Sequence, residues 1–266
     1  MTDVFDLRQG STPLLISIPH DGRALAPGMA SRMTDSGLAL PDTDWHVRRL
    51  YEFAADLGAG VIAANYSRYV VDLNRPANDT TLYPGQLATG LCPLQTFSGE
   101  PIYRPGETVT SAERTRRIRQ YWRPYHDALA RELVRLVGDH GVALLWDAHS
   151  IRGEVPLLFD GALPDLNVGT NGGGSCAPAI ETAVAAAARQ SPFTSVLNGR
   201  FRGGYITRRY GRPASGIHAV QLELAQRNYM DEKSLDYLPE QAERLADSIG
   251  KMLTSFTKSA DSAAPG

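Results

Sequence analysis

Three apolar stretches of this chain run into residues able to do chemistry. Leu14-Leu15-Ile16-Ser17-Ile18 leads to Pro19-His20-Asp21-Gly22, and Val142-Ala143-Leu144-Leu145-Trp146 leads to Asp147-Ala148-His149-Ser150. The third, Ile217 to Ala225, carries Gln221 and Glu223. Each stretch reads as a buried strand. Open α/β sheets bind ligands beyond the carboxyl ends of their strands, so His20, the Asp147/His149 pair and Glu223 are expected to converge there.

The residue types fit a hydrolytic metal site. Asp147 and His149 lie two apart on one strand and share a face, which suits the carboxylate to orient the imidazole. Asp44 precedes Val47 by three and Tyr51 by seven, placing it on the apolar side of the helix expected there. Two histidines and one carboxylate would leave a coordination position open for water. Glu223 shares a face with Gln221, opposite His218, Val220, Leu222 and Leu224. An acid within a buried strand is costly unless paired or functional, so Glu223 is the leading catalytic candidate, as a general base outside the metal sphere.

Each residue also has a plainer reading: a turn histidine, a solvated strand end, an acid complementing a helix N-terminus. The compact His-Glu-x-x-His pattern is missing, and Arg23 stands three positions after His20. The residues alone therefore leave a metallohydrolase as one reading among several. Other motifs are weaker. Gly172-Gly173-Gly174-Ser175 is not followed by Gly-Lys-Ser/Thr, and Ser175 reads as a helix cap. No Gly-x-Ser-x-Gly elbow occurs.

The elements that must position these groups alternate between strands and helices, which predicts an α/β domain with a parallel or mixed sheet. A helix is expected from Asp42 to Leu57, a strand at Val61–Ala64 and an extended piece at Tyr69–Leu73. Asn74 to about Glu107 has no strong period and is rich in Pro and Gly; so long an irregular stretch suggests a lid over the site. Thr110-Ser111-Ala112-Glu113 is a capping box opening a long helix that Pro124 should kink or break. A polar loop over Asn167–Ser175 precedes an alanine-rich helix over roughly Ala177 to Arg189. A last helix starts at Pro239. No linker divides residues 1–258, which read as one domain, and 259–266 read as a disordered tail.

Composition narrows the class. The chain has 266 residues, 42% hydrophobic and 21% charged, with formal net charge −2. That fits a soluble globular protein, not a general nucleic-acid binder, and no run of about 18 apolar residues suggests a membrane span. Two cysteines and no signal-peptide pattern predict a cytoplasmic protein without a disulfide framework. All but three of the 27 basic residues are arginine. A GC-rich genome would give that bias; so would recognition of carboxylates by the bidentate guanidinium fork.

Taken together, the segments resemble the N-formylglutamate deformylase (N-formylglutamate amidohydrolase) family. The motifs are Ser17-Ile18-Pro19-His20-Asp21-Gly22, Asp42-Thr43-Asp44-Trp45-His46-Val47, Ser67-Arg68-Tyr69-Val70-Val71-Asp72-Leu73-Asn74-Arg75 and Asp147-Ala148-His149-Ser150. Phe201-Arg202-Gly203-Gly204-Tyr205-Ile206-Thr207-Arg208 and Gln221-Leu222-Glu223-Leu224-Ala225-Gln226 follow in order. The resemblance implies a three-layer α/β/α fold with a mixed central sheet, zinc exopeptidase-like, related distantly to metallocarboxypeptidases and aspartoacylase. It implies hydrolysis of N-formyl-L-glutamate to formate and L-glutamate in histidine degradation.

By motif, His20, Asp44 and His149 would bind Zn2+ or another divalent transition metal, Asp147 would support them and Glu223 would be the base. Asn74, Arg75, Arg202 and Arg68 would bind a small substrate bearing carboxylates, with Arg208 in reserve. Gly203-Gly204 would let the backbone approach a ligand. Two alternatives stay open: an amidohydrolase of another N-acyl amino acid, or a non-catalytic sensor of acidic amino-acid derivatives. No oligomeric state is read from the sequence.

Overall fold

The computed structural model describes residues 2–81 and 89–261. Seven strands form one sheet: β1 (Phe5–Arg8), β2 (Leu14–Ile18), β3 (Gly60–Ala64), β4 (Ala143–Ile151), β5 (Leu166–Gly169), β6 (Ser195–Leu197) and β7 (Ile217–Ala225). Their order is β1-β3-β2-β4-β7-β5-β6. The central pairs β3–β2, β2–β4 and β4–β7 are parallel, whereas β1 on β3 and β5 on β7 are antiparallel. The sheet is therefore mixed.

The helices are α1 (Asp35–Leu38), α2 (Val47–Leu50), α3 (Ser111–Arg117), α4 (Arg123–His140), α5 (Pro178–Gln190), α6 (Tyr205–Tyr210) and α7 (Pro239–Asp261). They cover both faces of the sheet, giving three layers. Strand side chains alternate between faces. Ile16, Trp146 and Leu222 point to one side, into a core with α2, α5 and α7 (Leu50, Val184, Ile249, Phe256). Leu15, Leu145 and Ala219 point to the other, against α4 (Tyr125, Leu129, Leu133).

Along that second face the chemistry changes. The row Leu15–Leu145–Ala219 is apolar, and the next row on the same face is Ser17–Asp147–Gln221. One step further, His149 stands beside Glu223. The functional groups thus occupy the carboxyl ends of three parallel strands, on the α4 face. That end is where an open α/β sheet presents a ligand site.

Several local expectations are corrected. In place of one helix over Asp42–Leu57 there is a single turn, α2, and a 3₁₀ turn at Glu52–Ala55. His46 adopts a left-handed backbone (φ 63°), which no helix can continue through. Asp44 therefore sits in the preceding loop, not on a helix face, and its N–H bonds the His20 carbonyl at 3.1 Å.

Tyr69–Leu73 is not a strand. The buried Arg117 guanidinium donates to the Tyr69 and Val70 carbonyls (3.1 and 3.0 Å), satisfying backbone that a strand would have paired. Strand β4 runs on to Ile151, so Asp147 and His149 lie within it. The start of the expected polar loop at Asn167 is strand β5; Asn167 remains in the sheet by donating its amide to the Pro164 and Glu223 carbonyls. The edge strands β1 and β6, and helix α6, carry too little periodicity to be read.

Half of the capping box forms: the Thr110 hydroxyl accepts the Glu113 N–H, while the Glu113 carboxylate pairs with Arg32 and Arg117. Before Pro124 the helix widens into a π turn at Ile118–Trp122 and then continues as α4. The wider turn accommodates a residue with no N–H to donate. Helix α7 extends through 259–261, residues expected in the tail. Residues 262–266 of that tail, and 82–88 of the expected lid, lie outside the described residues.

Candidate active site

His20 follows β2, held by the rigid strand before it. Its Nε2 lies 2.8 Å from Asp72 Oδ1 and its Nδ1 faces Asp44 Oδ2 at 3.7 Å. His149 repeats the pattern: Nε2 is 3.1 Å from Asp147 Oδ1, and Nδ1 is 3.1 Å from Asp44 Oδ2. Both imidazoles thus turn Nδ1 toward one carboxylate, while a second carboxylate holds each far nitrogen. An Nε2–H bonded in this way leaves the Nδ1 lone pair for a cation, the arrangement that orients metal-binding histidines.

One ligand atom from each of His20, Asp44 and His149 lies within 4.8 Å of the others, and all three residues are buried. Asp44 is fixed by its own backbone and by the Ser150 N–H (3.1 Å). Asp147 takes the Thr207 hydroxyl at 3.0 Å. The Arg68 guanidinium donates to Asp44 Oδ1 at 2.6 Å and touches His20 Nδ1, marking where positive charge is favoured. Asp44, Asp72, Asp42 and Glu223, all buried, act on the buried Arg68. That excess of carboxylate, and two imidazoles with matched far-side partners, fit a divalent cation with N/O ligands.

The ionisation of the cluster follows its charges. Burial opposes the ionised form of Asp44, but Arg68, His149 and His20 outweigh it and hold the carboxyl well below the usual range. Burial likewise opposes the Asp72 anion, and His20 and Arg68 overcome it. For His149, burial disfavours the charged ring, yet Asp147 and Asp44 raise its pKa well above the ordinary value. Glu223 differs: burial pushes its carboxyl up to about 8, against the opposing pull of His149. An acid raised into the neutral range is suited to exchanging protons.

Glu223 lines the cavity that opens on His20 and His149, together with Gln221, Asn74 and Gly204. Gln221 bridges the Gly204 N–H (2.6 Å, to Oε1) and Glu223 Oε2 (3.3 Å, from Nε2). Asn74 accepts the Ile206 N–H and places its amide against His149 Nε2 at 3.0 Å. A Cβ on Gly204 would fall 2.2 Å from the Asn74 amide. The close approach expected at Gly203-Gly204 is therefore to Asn74, with Gly204 also on the cavity wall.

Of the arginines read as substrate contacts, Arg68 and Arg75 line this cavity. Arg75 is held by the Thr89 carbonyl (2.9 Å from Nε). Arg202 is exposed and does not line it; Arg200 does, two positions away. Arg208 bonds the Gly203 carbonyl. His46 bonds the Leu235 carbonyl, outside the cluster.

Three residues escaped the sequence reading. Asp72 lay in a quoted motif, but its pairing with His20 spans 52 positions. Gln221 was visible only as a face companion of Glu223. Arg200 carried no signal distinguishing it from other arginines.

A mixed sheet between two helical layers, with a buried His–Asp–His cluster and an acid on the adjacent strand, defines an α/β enzyme with a candidate metal centre of hydrolytic design. The family model for N-formylglutamate amidohydrolase matches residues 12–230. The chain belongs to the N-formylglutamate amidohydrolase family. It is 51% identical over 258 residues to the N-formylglutamate deformylase of Pseudomonas aeruginosa, covering 96% of this chain and 97% of that one. It is 53% identical over 233 residues to the N-formylglutamate deformylase of Pseudomonas putida, covering 87% of each. Among solved structures, the N-formylglutamate amidohydrolase of Ralstonia eutropha superposes with a TM-score of 0.82 at 24% identity over 98% of both chains. A gene product of Agrobacterium tumefaciens superposes at 0.69 with 19% identity over 96% of both. These two likenesses bear on the fold.

Proposed function

We propose that this chain hydrolyses N-formyl-L-glutamate to formate and L-glutamate, using a divalent metal, zinc, held by His20, Asp44 and His149. The observation that carries the reading is the geometry of the two imidazoles. Each directs Nδ1 toward Asp44 and has its far nitrogen held by its own aspartate, and Glu223 stands beside His149 on the next strand. When bound, the metal would supply Lewis-acid polarisation of the formyl carbonyl and acidification of water.

The chain's own groups do the rest. Glu223 accepts a proton from the attacking water, whose oxygen bonds the formyl carbon. It returns that proton to the amide nitrogen as the C–N bond breaks, so glutamate leaves as a neutral amine. Gln221 keeps the Glu223 carboxyl aimed into the cavity. Arg68, already at the cluster, is placed to stabilise the oxyanion that develops on the former carbonyl. Arg75 and Asn74 supply donors for a substrate carboxylate.

Residues 1–258 form the amidohydrolase domain in this reading, and the reaction takes place in the cytoplasm within histidine breakdown. Among the described residues no helix is long and apolar enough to cross a membrane. The test is formate release by the purified chain from N-formyl-L-glutamate, beside N-acetyl-L-aspartate and N-acetyl-L-glutamate. Formate from the first substrate and little cleavage of the others is expected. Faster cleavage of an acetylated substrate would overturn the formyl assignment.

A further inference from the structure

Phe97 stands where two cavities meet. The cavity that opens on His20, His149 and Glu223 has Phe97, Ser150 and Ile151 in its wall. The same three residues wall a second cavity, lined further by Asp42, Thr43 and Val155. The second cavity therefore reaches the chain next to Asp44 on one side and next to His149 on the other.

The position of Phe97 is fixed from several directions. Its N–H donates to Asp42 Oδ2 at 2.9 Å, the oxygen that also accepts the Tyr69 hydroxyl at 2.6 Å. The turn that carries it is closed by the Thr96 N–H on the Glu100 carbonyl (2.8 Å) and the Gly99 N–H on the Thr96 carbonyl (2.9 Å). Its ring packs against the small hydrophobic cluster of Ile151, Val155 and Leu163. The centre of that ring lies 5.0 Å from the Arg68 guanidinium carbon.

In the proposed reaction Arg68 meets the oxyanion. The carbon that bears this oxygen keeps two other original substituents: the leaving nitrogen and the acyl substituent, a hydrogen in a formyl group and a methyl in an acetyl group. The acyl substituent is apolar and shares a carbon with the oxygen, so it belongs on apolar surface beside Arg68. From this geometry we infer that Phe97, backed by Ile151, sets the size of the acyl group that the site accepts. Its ring meets the formyl hydrogen and closes the way to the second cavity, into which a longer acyl chain would extend. This assignment rests on the proposed activity.

A ring held by its own backbone and by its neighbours cannot swing aside, and forcing an extra methyl against a packed wall is unfavourable. Rejection of larger acyl groups thus comes from a barrier and not from a lost attraction. One carbon of difference is worth about 10- to 200-fold in kcat/KM, which bounds what such a wall can do.

The test measures kcat and KM of the metal-loaded protein and its variants for N-formyl-, N-acetyl- and N-butyryl-L-glutamate, following glutamate, the product common to all three. In each case the water oxygen bonds the acyl carbon, the C–N bond breaks and the leaving nitrogen takes the proton. Phe97→Ala is expected to raise the acetyl-to-formyl ratio of kcat/KM by about 10- to 100-fold and to gain cleavage of the butyryl compound. Phe97→Leu should raise the ratio less, and it decides the matter if Phe97→Ala does not fold. Equal losses on all three substrates would make Phe97 a structural residue and overturn the inference. So would an unchanged ratio in a folded variant. If the unsubstituted protein releases glutamate from none of the three, or cleaves the acetyl compound as readily as the formyl one, the proposed activity fails and the inference falls with it. A formyl-selective parent whose Phe97 variants keep its selectivity removes the inference alone.

Discussion

His149 and Glu223 are register partners on the parallel strands β4 and β7, on the same face of the sheet. A ligand-type imidazole and a buried acid are thereby fixed relative to one another by backbone hydrogen bonds, with no loop between them. Positions set by adjacent strands are stiffer than positions set by loops. That stiffness suits Glu223 to the proposed role of a base acting on water next to the histidine.

Glu223→Gln keeps the shape and the Gln221 contact but removes the proton acceptor. The variant should bind zinc as the parent does and lose roughly two to four orders of magnitude in kcat. Steady-state formate release with metal analysis of the same sample checks this. Near-normal kcat would remove Glu223 from the mechanism.

Asp72 touches His20 on the side away from Asp44, so its contribution comes through ring orientation and the Nε2–H tautomer. Asp72→Asn should weaken metal binding by about 10- to 100-fold while the fold is retained. Competition against a chromogenic chelator measures the affinity. An unchanged dissociation constant would mean that His20 needs no such support.

Gly204→Ala places a methyl carbon 2.2 Å from the Asn74 amide. The side chain that meets His149 must move, at a cost of about 1–3 kcal/mol in stability. Activity should fall more than the modest drop in Tm explains. A variant with parental activity and parental Tm would show that Asn74 can adapt freely.

His126 offers a test of pH dependence away from the cluster. It is buried on α4, with Nε2 2.9 Å from the Leu73 carbonyl and Nδ1 2.9 Å from the Tyr210 hydroxyl. Burial lowers its pKa from 6.5 to about 4, partly opposed by the Leu73 carbonyl. Between those values the unfolded chain binds a proton that the folded chain does not. The stabilising difference is therefore complete above pH 6.5 and is lost as pH falls through 4, amounting to about 3 kcal/mol at most. His126→Gln should show a shallower loss of urea-unfolding free energy between pH 6.5 and 4.5 than the parent. Identical slopes would count against a neutral buried imidazole.

Much of this arrangement was legible in the sequence because it depends on local order. Strands β2 and β7 coincide with the expected apolar stretches, and the two-residue spacings Asp147–His149 and Gln221–Glu223 fix shared faces without knowledge of the fold. What was not legible depends on distant partners. Asp44 owes its place to a left-handed His46 and to a backbone bond with His20, neither visible in a helical spacing. The non-strand course of Tyr69–Leu73 is set by Arg117, far along the chain. Arg200 lines the cavity and Arg202 does not because an irregular segment turns them differently, which no local pattern reveals.

Cleavage of N-formyl-L-glutamate is proposed to require a metal held by His20, Asp44 and His149. The most direct measurement strips the protein with chelator and titrates zinc back while following formate release and bound metal together. Stripped protein should release no formate, and activity should return linearly and saturate at one zinc per chain, with His20→Ala and His149→Ala failing to recover. Full activity in chelated protein holding no metal would contradict it.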